Sequence, residues 1–257
     1  MVPEVFGREN EQSCVQFQPD SKELIRRSYH ALLACPTQSI GAGSIRMPEE
    51  LLRDYPLKID GPVYHLGFHS EKSYGAASYL IVHPEGNIMV DSPRYSKPLA
   101  QQIEKLGGVK DMFFTHSDDV ADHENFQKHF GCKRWIHRAD AEGELDQMEK
   151  VFDQKARHLR KDVKILETPG HTDGSCCLLY KNYLFSGDHL AWSIRLGHLY
   201  AFYSYHKDWR QLTESMEKLF VEKFNWILPG HGRRFTGTDE QMQNEKQMCL
   251  DWMKAQP

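Results

Sequence analysis

No apolar run in this sequence approaches the roughly 18 residues that a membrane-crossing helix needs, so no membrane span is expected. No block of Lys and Arg appears either. The 32 basic and 36 acidic residues are mixed along the chain and leave a net charge of -4, which argues against a nucleic-acid partner. The opening residues, MVPEVFGREN, have no basic stretch followed by an apolar one, and they are not rich in Arg and Ser. Neither a secretory signal nor a transit peptide is legible there. There is no CxxC. The six cysteines (Cys14, Cys35, Cys132, Cys176, Cys177, Cys249) follow no framework spacing, so free thiols in a reducing compartment are expected.

What the chain does have is bulk and rhythm. Its 257 residues, 40% hydrophobic, suffice for one sizeable α/β core with a small appendage. Residues 1 to about 45 are polar, with one helical stretch from about Ser21 to Leu33, broken by CPTQSIGAGS. A connector follows to about Pro62. Strand patterns then occupy Val63 to Phe68, Ala77 to His83 and Asn87 to Val90, with a turn at HPEGN. The helix pattern of SKPLAQQIEKLGG, the strand DMFFT, the helix ADHENFQKHFG and the strand KRWIH alternate, which implies parallel neighbours in a sheet. Further strands are expected near Val163–Glu167, Cys176–Tyr180, Tyr183–Phe185 and NWILP, and helices from about Trp209 to Phe224 and Thr238 to Ala255.

Fourteen histidines is a high count, so position must decide which of them matter. His116 follows DMFFT, His171 follows LETPG, Asp188 follows YLFSG and His231 follows WILPG. Each comes after an apolar run and one or two small residues. Polar residues at the ends of core strands tend to converge at one edge of a sheet. Imidazole and carboxylate together suit Zn, Fe or Mn. A carboxylate such as Asp188 can bridge two cations and offset their repulsion.

In order, THSDDVADH, TPGHTDGS, LFSGDHL and LPGHG resemble the motifs of the metallo-β-lactamase superfamily, over about residues 62 to 235. The ligand positions are 55 (116 to 171), 17 (171 to 188) and 43 (188 to 231) residues apart. The resemblance implies an αββα sandwich, two mixed sheets face to face with helices outside. It implies that His116 and His171 hold a first metal, that Asp122, His123 and His231 hold a second, and that Asp188 bridges them. It also implies a metal-bound hydroxide as nucleophile, oriented by Asp122, and second-sphere roles for Thr115 and Thr172. The family's first motif is H-x-H-x-D-H, whereas here two residues are inserted and the second His is missing. Asp118, two after His116, is the first candidate for the vacated position and Asp119 its rival; the remaining alternative is a mononuclear site. Carboxylate in place of imidazole makes a harder donor set, relatively better for Fe or Mn.

His189 is expected beside the site or in a local hydrogen bond, His69 on the pocket wall or in an exposed loop, and His137 and His206 in structural roles. The aromatic stretch LGHLYAFYSYH reads as substrate contact or as ordinary packing. Near the N-terminus, PEVF and CPTQSI resemble the second half of a small ferredoxin-like domain. An iron–sulfur cluster also needs three upstream cysteines. That run is absent and Cys14 stands alone, so no cluster is expected on this chain.

The expectations are therefore a ferredoxin-like remnant at 1–45 and a catalytic domain at 46–257. The latter would be a metal-dependent hydrolase of an ester, thioester, lactone or phosphoester, with two divalent ions, zinc foremost and iron or manganese as alternatives. An iron-dependent oxidoreductase and a non-catalytic metal-binding protein are the other readings. A small-molecule substrate is expected, in the cytoplasm or a plastid.

Overall fold

The computed structural model describes residues 2–10, 12–43, 48–153, 155 and 157–257. A hairpin, β1 (Phe6–Glu9) with β2 (Gln12–Val15), precedes helix α1 (Lys22–Ala34). Ser21 starts α1 by accepting the Leu24 backbone N–H, which satisfies one of the orphan donors of the first turn. The expected domain boundary at 45/46 lies outside the described residues. Across it, the Arg26 guanidinium forks onto Asp54, His30 meets the same carboxylate at 2.7 Å, and Leu33 and Ala34 enter the main core.

The first sheet runs in sequence order: β3 (Leu57–Asp60), β4 (Val63–His65), β5 (Tyr79–Ile81), β6 (Ile88–Val90), β7 (Asp111–Phe113), β8 (Lys133–His137) and β9 (Lys150–Phe152). It is antiparallel as far as β6 and parallel beyond, because helices α2 (Lys97–Lys105) and α3 (His123–Phe130) make the crossovers. The connector expected to reach Pro62 thus contains a strand, β3. Its alternation of half-buried and exposed residues marks it as the sheet's edge.

The second sheet contains β10 (His158–Arg160), β11 (Val163–Glu167), β12 (Cys176–Tyr180) and β13 (Tyr183–Gly187). A separate hairpin follows, β14 (Ala191–Ser193) with β15 (His198–Tyr200), and then helix α4 (Trp209–Leu219). β16 (Trp226–Pro229) pairs parallel to β13, and β17 (Phe235–Thr236) closes the edge. Helix α5 (Asp239–Lys254) ends the chain.

Strand periodicity sorts the side chains into layers. Cys176, Leu178 and Tyr180 point between the sheets, where they meet Tyr79, Ile81, Val90 and Phe113. Cys177 and Leu179 point outward, under Leu212 and Met216 of α4 and Met242 and Cys249 of α5. On the other outer face, Leu80, Met89 and Met112 lie under Leu99 and Ile103 of α2 and Phe126 of α3. The result is the αββα sandwich.

Helix α5 begins with a reciprocal cap: Thr238 accepts from Gln241 N at 3.2 Å, and the Gln241 side chain accepts from Thr238 N at 2.8 Å. Thr238→Ala is expected to lower stability by about 1 kcal/mol. Urea melts check this; an unchanged midpoint would mean that packing alone sets this end of the helix.

Candidate metal centre

β6 and β7 run parallel in one sheet, and so do β11, β13 and β16 in the other, with β12 antiparallel between β11 and β13. The C-terminal ends of these strands carry Asp91, His116, His171, Asp188 and His231, and the fold brings them to one edge of the sandwich.

His116 is 1% exposed. Its Nε2 lies 3.8 Å from Asp188 Oδ2, 3.9 Å from Asp119 Oδ2 and 4.0 Å from Asp118 Oδ2. His171 Nε2 lies 3.5 Å from Asp118 Oδ2 and 3.6 Å from Asp188 Oδ2. The two imidazoles stand edge to face, 4.8 Å apart. Donor atoms of His116, Asp118 and His171, and of His116, Asp119 and Asp188, form two overlapping groups, each within 4.8 Å.

Hydrogen bonds behind the cluster orient it. The Asp91 carboxylate accepts from Thr115 N at 2.8 Å and from the Thr115 hydroxyl. The Thr115 oxygen in turn accepts from His116 Nδ1 at 2.9 Å. His171 Nδ1 donates to the Tyr205 carbonyl. Both rings are thus anchored through Nδ1 and turn Nε2 into the cluster, the orientation that a metal requires. Neither Nε2 has a hydrogen-bond partner, and both oxygens of Asp119, which is completely buried, also lack one. Buried polar atoms without partners are rare and costly. Here they belong to the two overlapping groups that share His116, and imidazole with carboxylate is a donor set that fits a divalent cation.

The electrostatics agree. Burial, then the charges of Asp188, Asp91 and Asp118, push the Asp119 carboxyl well above its ordinary value. Burial likewise lifts Asp91, to about 7. Burial works to raise Asp188 too, but the His231 hydrogen bond and the nearby imidazoles outweigh it and hold this carboxyl low. The facing His171 ring holds Asp118 low. A crowd of four carboxylates is a site that lacks positive charge.

Not every expected ligand joins the cluster. Asp122 precedes α3 with a left-handed backbone (φ 49°), and its carboxylate accepts from Lys72 Nζ at 2.8 Å and Tyr95 N at 2.9 Å. His123 Nδ1 accepts from Arg134 at 3.1 Å, with its ring edge-on to Phe114. The two inserted residues carry this Asp-His pair past the cluster and onto the start of the helix, while Asp119 comes in under His116. His231 sits against Asp188, its Nδ1 2.8 Å from Oδ1, and its Nε2 donates to the Tyr74 carbonyl at 3.2 Å.

A cavity of about 700 Å³ opens over the cluster, lined on one side by Tyr74 and on the other by Phe202, Tyr205, His206 and Lys207. The aromatic stretch thus faces the cavity, and so does His206, for which only a structural role was expected. His69 is hydrogen-bonded to His65 at 2.9 Å. His189 is buried with neither ring nitrogen partnered. Asp91 was missed in the sequence, although it too follows an apolar run, Ile88-Met89-Val90.

The family described as the single-cluster 4Fe-4S domain of ferredoxin I matches residues 1–42. The residues present there do not fit the cluster. Only Cys14 and Cys35 lie in that stretch, and four thiolates are needed. No curated protein matches the chain. Among solved structures, VMB-1 superposes with a TM-score of 0.57 at 16% identity, over 76% of this chain and 96% of its own. The class B3 di-zinc metallo-beta-lactamase LRA-12 from an Alaskan soil metagenome gives 0.52 at 17%, over 77% and 90%. TTHA1623 in a di-iron-bound form gives 0.51 at 19%, over 71% and 94%. At such identities the likeness is one of fold. The family described as the metallo-beta-lactamase superfamily matches residues 74–231, well over half of the sequence, and this chain belongs to it.

Proposed function

We propose that the protein is a metal-dependent hydrolase with a dinuclear site, acting on an ester, thioester, lactone or phosphoester. The observation that carries this reading is the set of buried, unpartnered donor atoms (His116 Nε2, His171 Nε2 and both Asp119 oxygens) under an open cavity. His116, Asp118 and His171 would form one set of metal ligands and Asp119 and Asp188, again with His116, the other, with His231 beside Asp188. Bound there, divalent ions would lower the pKa of water and polarise a carbonyl or phosphoryl oxygen.

The chain's own residues do the rest. Asp118 is the most exposed acid of the cluster, its side chain 44% accessible, and is held in its ionised form. Its carboxylate orients the attacking water and accepts its proton. The family pattern would give that task to Asp122, whose carboxylate is engaged by Lys72 and Tyr95. Tyr74, Phe202 and Tyr205 wall the cavity and shield the apolar part of the substrate from water. Three carboxylates in the donor set favour a second reading, iron-dependent redox chemistry at the same residues.

Metal content per chain, measured by mass spectrometry beside a panel of nitrophenyl esters, thioesters, lactones and phosphodiesters, separates these readings. About two zinc ions, with turnover lost on chelation and restored by zinc, is the expected result. Tightly held iron without hydrolysis would transfer the assignment to redox chemistry. A wild-type chain that binds no metal would overturn both. No helix among the described residues is long and apolar enough to cross a membrane.

A further inference from the structure

Asp140 supplies none of the donor atoms of the cluster, yet it touches both loops that supply the histidines. It follows β8, in the turn Arg138–Asp140, and is 6% exposed. Its Oδ2 accepts from the backbone N–H of Ser117 at 3.1 Å and from the Thr172 hydroxyl at 2.6 Å. Its Oδ1 accepts from Gly174 N at 2.8 Å. Ser117 lies between His116 and Asp118, and Thr172 directly follows His171. One carboxylate therefore grips the chain at the immediate neighbours of three donor residues, on two loops 55 residues apart (116 to 171). Ser175 braces the same point, its hydroxyl 2.7 Å from that of Thr172 and accepting from Thr172 N at 2.9 Å. The approach is close: a Cβ on Gly174 would fall 2.6 Å from Asp140 Cγ.

We propose that Asp140 is a positioning residue of the metal centre, a clamp that fixes the His116 loop to the His171 loop and so sets the distance between their Nε2 atoms. The proposal rests on the metal-binding reading above. Another tie joins the same strand ends, Cys176 N to the Thr115 carbonyl at 2.7 Å, but it lies on the core side of both histidines. Without Asp140 the two loops would stay joined at their base and lose the tie between their tips. Fold stability and ligand geometry should thus separate on substitution.

The test titrates Co²⁺ and Zn²⁺ into metal-stripped wild type, Asp140→Asn, Thr172→Val and the double variant, with melting curves of each metal-free protein. Asn leaves one acceptor oxygen where three donors converge; Val removes the Thr172 hydroxyl and with it the contacts to Asp140 and Ser175. Metal affinity is expected to fall about 10- to 100-fold in Asp140→Asn and less in Thr172→Val, as for other groups that hold ligands in place. The Co²⁺ absorption bands should shift in both. In the double variant the combined loss should fall short of the sum of the two, because both substitutions act on the same contact. Unchanged affinity and spectra beside lowered melting temperatures would make Asp140 a fold element only and overturn the proposal while leaving the metal reading intact. A wild type that binds neither ion overturns both together. Should Asp140→Asn fail to fold, the affinity and spectrum of Thr172→Val decide alone.

Discussion

Asp119→Asn is expected to remove about one metal ion per chain and, at the same time, to make the metal-free protein more stable. Asp119 is completely buried, neither oxygen has a partner, and burial together with Asp188, Asp91 and Asp118 drives its carboxyl well above the ordinary range. A buried unpaired acid costs free energy that a cation would return. The sign follows from proton linkage. In the metal-free fold Asp119 keeps a proton that the unfolded chain has shed above about pH 4, so folding loses stability as pH rises from there toward the folded value. Asp91, lifted to about 7, adds a decline over the window from about 4 to 7 that wild type and variant share. Asn carries no such charge, so its advantage should grow with pH, reaching about 1–3 kcal/mol near neutrality. Metal counts and melting curves of stripped protein at pH 5 and pH 7.5 check both halves. Asp122→Ala and His123→Ala are the comparison: loss of an ion there, with Asp119→Asn unaffected, would restore the family's usual ligand pattern and remove Asp119 from the site.

The sequence carried the strand ends because they obey a local rule. An apolar run, a small residue and then His or Asp can be read without knowing the fold, and His116, His171, Asp188 and His231 do meet at one edge. The αββα layering was legible through family resemblance and through the β-α alternation around α2 and α3. What the sequence left open was register within THSDDVADH. Counting back from the Asp-His pair points to Asp122 and His123, and counting forward from His116 points to Asp118 and Asp119. Only the chain's path decides, and it spends the insertion before α3, where Lys72, Tyr95 and Arg134 engage the displaced pair. Those three partners lie 11 to 50 residues away in sequence, so no local pattern announces them. Asp140 was invisible for a similar reason: its acceptors serve loops on both sides of the sandwich. The short strands β3, β9 and β14 were missed because a pattern of three or four residues is too short to distinguish a strand from a loop.

Gly170→Ala tests how firmly the second sheet's helices hold the His171 loop, and a loss of about 4 kcal/mol is expected. Gly170 immediately precedes His171 and has φ +133°, a conformation that side chains rarely adopt. A Cβ there would lie 2.4 Å from Leu212 N and 2.5 Å from its Cα, backbone atoms of α4 that no rotamer change can move aside. The Gly170 carbonyl also accepts from Lys207 N and Asp208 N at 2.9 Å, and Asp208 caps α4 by accepting from Gln211 N at 2.9 Å. Loop and helix start are therefore one nested unit. Overpacking typically costs about 1–3 kcal/mol and a disallowed backbone conformation about as much again. Gly197→Ala separates the two terms, since Gly197 also has positive φ (+73°) but nothing within 4 Å of its Cβ position. It should cost only about 1 kcal/mol. Equal midpoints for the two variants in urea would show that α4 yields to the methyl group and that the His171 loop is softer than its contacts imply. A large difference, together with a fall in metal binding that Gly197→Ala does not share, would show that α4 sets the position of His171 as Asp140 sets its distance from His116.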